Sequence, residues 1–85
     1  SAVFFHPFLI IKFTKALFQH RNKKIRNALI DSRHVITNLD KKEMKKCMNS
    51  IEDEKLNEYL KNRVVAITPE EILFLSKQLN SLLNG

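Results

Sequence analysis

Six polar residues close together, His20, Arg21, Asn22, Lys23, Lys24 and Arg26, are the part of this sequence best suited to chemistry. Arginine presents a planar fork that matches a phosphate, and lysine a compact point charge that neutralises one. None of these side chains needs a cofactor or a special protonation state to do so. Asn22 also stands where it would cap a short helix running from Lys23 to Ile30. Basic residues in a helix's first turn oppose its dipole. A phosphate bound by the open N–H groups there, together with Arg21, Lys23 and Lys24, would remove that conflict. The pattern therefore points to binding of a nucleic-acid backbone, and a solvated basic surface is the plainer alternative. Asn27 reads equally well as structural.

Other chemistry finds little material. His6, His20 and His34 are too widely spaced for a local metal motif, and the single cysteine, Cys47, excludes a disulfide or a cysteine-based metal cluster. No Ser/His/Asp or Cys/His arrangement is legible. With one Tyr, no Trp and phenylalanines at core-type positions, the chain lacks an aromatic platform for stacking single strands. A positive surface of this kind holds RNA by backbone and shape.

The elements that would position the basic run can be read from periodicity. Upstream of it, Leu9, Ile10, Ile11, Phe13, Ala16, Leu17 and Phe18 cover most of a helical wheel, leaving Lys12, Lys15 and Gln19 as a narrow polar stripe. A helix so widely apolar is expected at the centre of the fold, with Pro7 at its first position. Val3, Phe4 and Phe5 either fold back on the core or contact a neighbouring domain. Asp31 to Leu39 reads as a loop. Asp40 and Glu43 form a capping box that opens a helix, on which Met44, Cys47, Met48 and Ile51 make one apolar face. Lys41, Lys42, Lys45 and Lys46 lie on its outer face, where a solvated role is favoured over RNA contact. Leu56, Tyr59, Leu60 and Val64 suggest a further helix, and Val64 to Ile67 a brief β-like connector. Thr68 and Glu71 form a second capping box with Pro69 at the first position, and Ile67 and Ile72 sit as a hydrophobic staple. The stripe Ile72, Leu75, Leu79, Leu82 and Leu83 then runs to Asn84-Gly85, and this last helix should pack on the first.

Bulk properties fit that outline. The 85 residues suffice for one small domain, with ordinary apolar content of 44%. The net charge of +6 is uneven: residues 1–34 hold seven Lys/Arg against one acid, and the remainder is balanced at eight against eight. The apolar opening lacks the basic flank and cleavage site of a signal peptide, and Lys12 and Lys15 interrupt it well short of the ~20 residues of a membrane span. The expected setting is cytoplasmic, without membrane or metal, as a monomer. The abrupt start suggests part of a longer protein.

The run from Phe18 through His20-Arg21-Asn22-Lys23-Lys24-Ile25-Arg26-Asn27 to Leu29 resembles the start of the C-terminal domain of the ribosomal RNA adenine dimethyltransferases, in the wording of the archaeal and eukaryotic branch. A second match, Arg63 to Glu71 followed by Leu75, is similar to that family's closing helix. The resemblance covers about half the chain. It implies an all-α bundle of about five helices around a central apolar first helix, with a helix-turn-helix-like arrangement as one form. It also implies docking to small-subunit ribosomal RNA on behalf of an N-terminal catalytic domain, here missing, that uses S-adenosylmethionine to dimethylate two adjacent adenines. His20, Arg21, Asn22, Lys23, Lys24 and Arg26 would be the RNA-binding residues. Relatives acting on large-subunit RNA or as mitochondrial transcription factors share the architecture. A helix-turn-helix DNA binder using residues 23–30 and 40–49, and a helical protein-interaction module, remain the alternatives. The catalytic half needs a Gly-rich loop and an Asn-Pro element. This chain has one glycine, Gly85, and neither proline sits in such an element. It should accordingly transfer no methyl group from S-adenosylmethionine to any RNA and should not bind the cofactor. Calorimetry showing a stoichiometric cofactor complex would contradict that assignment.

Overall fold

Helix α1, Pro7–Phe18, begins at the expected proline, ends one residue short of Gln19, and packs against four other elements, so it is the centre of the fold. The computed structural model describes residues 7–84. The expectations for Val3-Phe4-Phe5, His6 and Gly85 lie outside those residues. Then follow α2 (Ile25–Asp31), α3 (Arg33–Ile36), α4 (Lys41–Asn49), α5 (Glu54–Lys61), a 3-10 turn (Val64–Ala66) and α6 (Pro69–Asn84). The fold is an all-α bundle, and α1 packs on α6 as expected. Among the described residues the sole β feature is one isolated antiparallel bridge, between Lys24 and Arg63.

The core is continuous. Phe13, Ala16 and Leu17 of α1 meet Ile25, Ala28 and Leu29 of α2, Met44 and Met48 of α4, Leu60 of α5, Val64, and Leu75 and Leu79 of α6. Cys47 packs half-buried against this cluster, so it and the two methionines are core residues. α1 is covered on fewer sides than its composition suggested. Phe8, Ile11 and Phe18 are 62%, 59% and 43% exposed. At 3.6 residues per turn Phe8 falls between Lys12 and Lys15, and Ile11 and Phe18 fall beside Lys15. The solvent face is therefore the expected polar stripe with Phe8 inside it and widened on one side.

Local signals explain most helix starts. Asp40 Oδ1 accepts from the Glu43 N–H at 2.8 Å, and Glu43 Oε1 accepts from the Asp40 N–H at 3.2 Å. Thr68 and Glu71 make the same reciprocal pair at 3.2 and 2.8 Å. Asp53 caps α5 by accepting from the Leu56 N–H at 3.1 Å. Each cap satisfies N–H groups that a helix end leaves open.

Three expectations are corrected. Asn22 does not cap α2. The cap position is Lys24, which makes no side-chain cap bond, and the helix begins at Ile25. The stretch from Asp31 to Leu39 is not all loop, because α2 continues through Asp31 and α3 follows after a single residue, Ser32. Ser32 is fully buried and its hydroxyl donates to Gln19 Oε1, while Ile36 reaches the core. These tertiary contacts hold a four-residue helix that has no cap signature of its own. Val64 lies in the 3-10 turn, not on α5 or in a β-like connector. Because α3 stands between α2 and α4, those two helices pack together without being joined by a turn, unlike the pair of a helix-turn-helix.

Leu17 of α1 and Leu75 of α6 are fully buried. Truncating either to alanine should destabilise the fold by about 2–5 kcal/mol in chemical denaturation, as buried Leu→Ala changes do. A loss below about half a kcal/mol at both sites would mean the α1–α6 packing is wrong, since surface changes stay within that range.

Candidate nucleic-acid interface

After α1 the chain makes two tight turns, closed by the His20 N–H on the Leu17 carbonyl and the Lys23 N–H on the His20 carbonyl, both at 3.0 Å. It then runs extended through Lys24 and pairs with the segment before the 3-10 turn. The Ile25 N–H donates to the Asn62 carbonyl at 2.8 Å, and the Val64 N–H donates to the Lys23 carbonyl at 3.0 Å. In this pattern Lys24 and Arg63 are the residues directly opposite each other, in the narrow, non-hydrogen-bonded kind of antiparallel pair. Two like charges directly opposite destabilise such a pair. The Arg63 guanidinium also donates to the Asn22 carbonyl, which pins the turn. Ile25 and Val64, flanking the pair, are buried and hold it to the core.

This pairing builds one wall of an open groove of about 470 Å³. Lys23, Lys24 and Arg63 line it from the bridge, and Lys41 and Lys45 from α4, with Asn27, Ile30 and Asp31 on α2 completing it. Among the lining residues there are five cations and one carboxylate. Lys41 and Lys45 are four residues apart and so share one helix face. Lys42 and Lys46 do not line the groove.

The sequence-predicted residues are thus divided. Lys23 and Lys24 enter the groove. His20 is half-buried and Arg21 exposed on the preceding turn, and Asn22 contributes its carbonyl to Arg63. Arg26 turns to another cleft, shared with Lys61, where its guanidinium donates to Asn49 Oδ1 at 2.9 Å. The expected phosphate at the start of α2 is also revised. The Ile25 N–H is taken by Asn62, α2 has only seven residues, and Lys23 is ion-paired to Asp31. The groove offers side-chain charge, not a helix end. The sequence pattern did not reveal Arg63, or the membership of Lys41 and Lys45. The i,i+4 lysine pair was a visible signal; Arg63 gave none, because its place depends on a pairing across about forty residues.

Asp31 is the electrostatic exception in the groove. Its carboxyl is held below the ordinary 3.8, chiefly by the hydrogen bond from the Lys23 ammonium. Partial burial opposes that shift, and the charges of Lys23, His20 and Lys41 add to it. What remains is a surface of lysine and arginine donors able to bind an anion. Among the described residues no group of three or more His, Cys, Asp or Glu is placed to hold a metal ion. No helix among them is long and apolar enough to cross a membrane.

No family model matches the chain. It is, however, 40% identical over 72 residues to the probable ribosomal RNA small subunit methyltransferase A of Methanococcus aeolicus, a match covering 85% of this chain and 26% of that protein. The proteins of the same name from Methanosphaera stadtmanae and Pyrococcus furiosus are 37% identical over 71 residues and 43% over 58 residues. Those matches cover 84% and 68% of this chain, and 23% and 20% of the relatives. The chain spans about a quarter of the length of the curated relatives it matches, as a C-terminal domain would. The family resemblance carried by the Phe18–Leu29 region is supported by these relatives.

Because the Asp31 pKa is depressed in the fold, its ionised form adds stability above the unfolded value, and that contribution is lost as pH falls through the folded value. Its side chain is 34% exposed, so solvent screens the effect to a small one. Lys23→Ala should shift the titration of the Asp31 carboxyl resonance upward in a carbon-13 NMR experiment, because its chief stabilising partner is gone. An unchanged titration would show that Lys23 is not its partner.

Proposed function

We infer from this kinship to the ribosomal RNA small subunit methyltransferases that the chain is the RNA-docking, C-terminal domain of such an enzyme. Its task is to seat a catalytic domain, elsewhere in the parent protein, on small-subunit ribosomal RNA. That domain would bind S-adenosylmethionine and dimethylate two adjacent adenines near the 3′ end of the RNA. The setting for that work is the cytoplasm.

One observation carries the reading. The fold gathers Lys23, Lys24, Lys41, Lys45 and Arg63 from three separate stretches of sequence around a single groove, and sets Lys24 directly against Arg63. Burial of Ile25 and Val64 holds the two charged residues opposite each other, although their mutual repulsion opposes folding when no anion is bound. A phosphate between them converts that repulsion into two charge-assisted hydrogen bonds. Affinity then comes from neutralising backbone phosphates and releasing their counterions, with no need to read sequence. Arg21 extends the positive surface along the preceding turn, where His20 offers a hydrogen-bonding ring, and Arg26 with Lys61 adds a separate basic spot.

The test is the salt dependence of binding to a small-subunit RNA fragment. Replacing Lys24, Lys41 and Lys45 together by alanine should lower the log–log salt slope by about two to three, roughly one for each phosphate no longer neutralised. Replacing Lys15, Lys42 and Lys46, all exposed and outside the groove, removes the same charge and should change the slope by less than about one. An equal fall in both variants would mean that positive charge acts diffusely and the groove has no special role.

A further inference from the structure

On the side of the bundle formed by α1, α3 and α6 lies a second cleft, of about 310 Å³, with a different chemistry. Its polar lining comprises Lys12, His34, Thr37, Asn38, Asn80 and Asn84, and no acidic side chain borders it. The amides come from two elements far apart in sequence. Asn84 Nδ2 donates to the Ile36 carbonyl at 3.1 Å and to Asn80 Oδ1 at 2.9 Å, which ties the end of α6 to the end of α3. Asn80 Oδ1 is therefore held as an acceptor within the protein. Thr37 is buried, and its hydroxyl accepts from the Leu39 N–H. Asn38 and His34 are exposed at the cleft, and Lys12 is exposed on α1.

We propose that this cleft is a base-reading subsite for one unpaired ribonucleotide, with His34 offering a ring face, Asn38 and Asn80 the hydrogen bonds to the base edge, and Lys12 a contact to its phosphate. The inference rests on the RNA-docking reading and adds a role that the basic groove cannot supply. Unpaired bases in RNA are recognised by stacking on a ring, histidine included, and by hydrogen bonds on their edges. Carboxamides suit those edges because each offers both a donor and an acceptor. The two amides of Asn38 and Asn80, one ring and one cation around a cleft that no carboxylate lines make that set.

The two sites are chemically separate. Between them lies a third cleft that shares Asp31 with the basic groove and His34, Thr37 and Asn38 with the amide cleft. It is bordered by Asp31 and Asp40, facing Arg33. With two carboxylates and one guanidinium, that cleft is a poorer path for phosphates than the groove. The groove accordingly takes the backbone of a structured region, and the amide cleft takes a single base splayed from it.

The experiment uses the whole chain and a set of short single-stranded RNAs identical except for one central base, followed by fluorescence anisotropy. The unmodified chain should prefer one base over the least favoured by about fivefold or more, the low end of what one bidentate amide–base pair provides. Asn38→Ala, at an exposed position, should reduce that spread to less than about twofold while leaving the thermal melt and the salt slope unchanged. His34→Ala should weaken all of the RNAs, because stacking tolerates any base. Equal affinity of the unmodified chain for all of the RNAs, with a steep salt slope, would overturn the base subsite and leave the groove standing. A retained spread in Asn38→Ala would overturn it as well. A clear base preference with no effect of the groove substitutions would instead sustain the cleft and remove the groove. No binding to any RNA would remove both.

Discussion

The short antiparallel pairing between Lys23–Ile25 and Asn62–Val64 is the constraint on which the functional surface depends. It consists of only two backbone hydrogen bonds, yet it joins the turn after α1 to the segment before α6. Its apolar members, Ile25 and Val64, are inserted into the core, so the pairing is fixed by burial more than by the bonds themselves. Its polar members, Lys24 and Arg63, are thereby forced to face solvent side by side. The same local geometry thus completes the hydrophobic core and concentrates positive charge. Moving either segment by one residue would exchange the two roles, placing a charge inside and a branched apolar side chain outside.

Around this junction α4 supplies Lys41 and Lys45, and its position is in turn set by the neighbouring Met44 and Met48, which enter the core. Asp31 moderates the groove by pairing with Lys23, so that the charge most exposed to an incoming anion is that of Lys24, Lys41, Lys45 and Arg63. The carboxylate also offsets part of the repulsion among the cations when no ligand is present. On the RNA-docking reading, affinity and selectivity lie in different places. The groove supplies the first through charge, and the amide cleft at α1, α3 and α6 supplies the second through hydrogen bonds.

Much of the fold was legible in the sequence because its signals are local. Asp40 with Glu43, and Thr68 with Glu71, mark helix starts within four residues, and both boxes form. The apolar periodicity of α1, α4 and α6 identified the core side chains Phe13, Leu17, Met44, Met48, Leu75 and Leu79. What could not be read depends on contacts distant in sequence. α3 is held by the buried Ser32 and Ile36, with no cap or long periodic run to announce it. The coverage of α1 is one-sided because neighbouring elements reach only part of it, which composition does not reveal. For the site, the density of charge between His20 and Arg26 pointed to this junction, and Lys23 and Lys24 line the groove there. Arg26 points elsewhere because it falls on another face of α2, and Arg63 joins only through the pairing.

Whether this junction is where RNA phosphates are held can be tested directly by NMR titration of the labelled chain with a structured small-subunit RNA fragment at low salt. The resonances of Lys24, Lys41, Lys45 and Arg63 should move together and return as salt is added. Movement confined to the exposed face of α1 at Ile11, Lys15 and Phe18, with those four silent, would show that the RNA is held elsewhere.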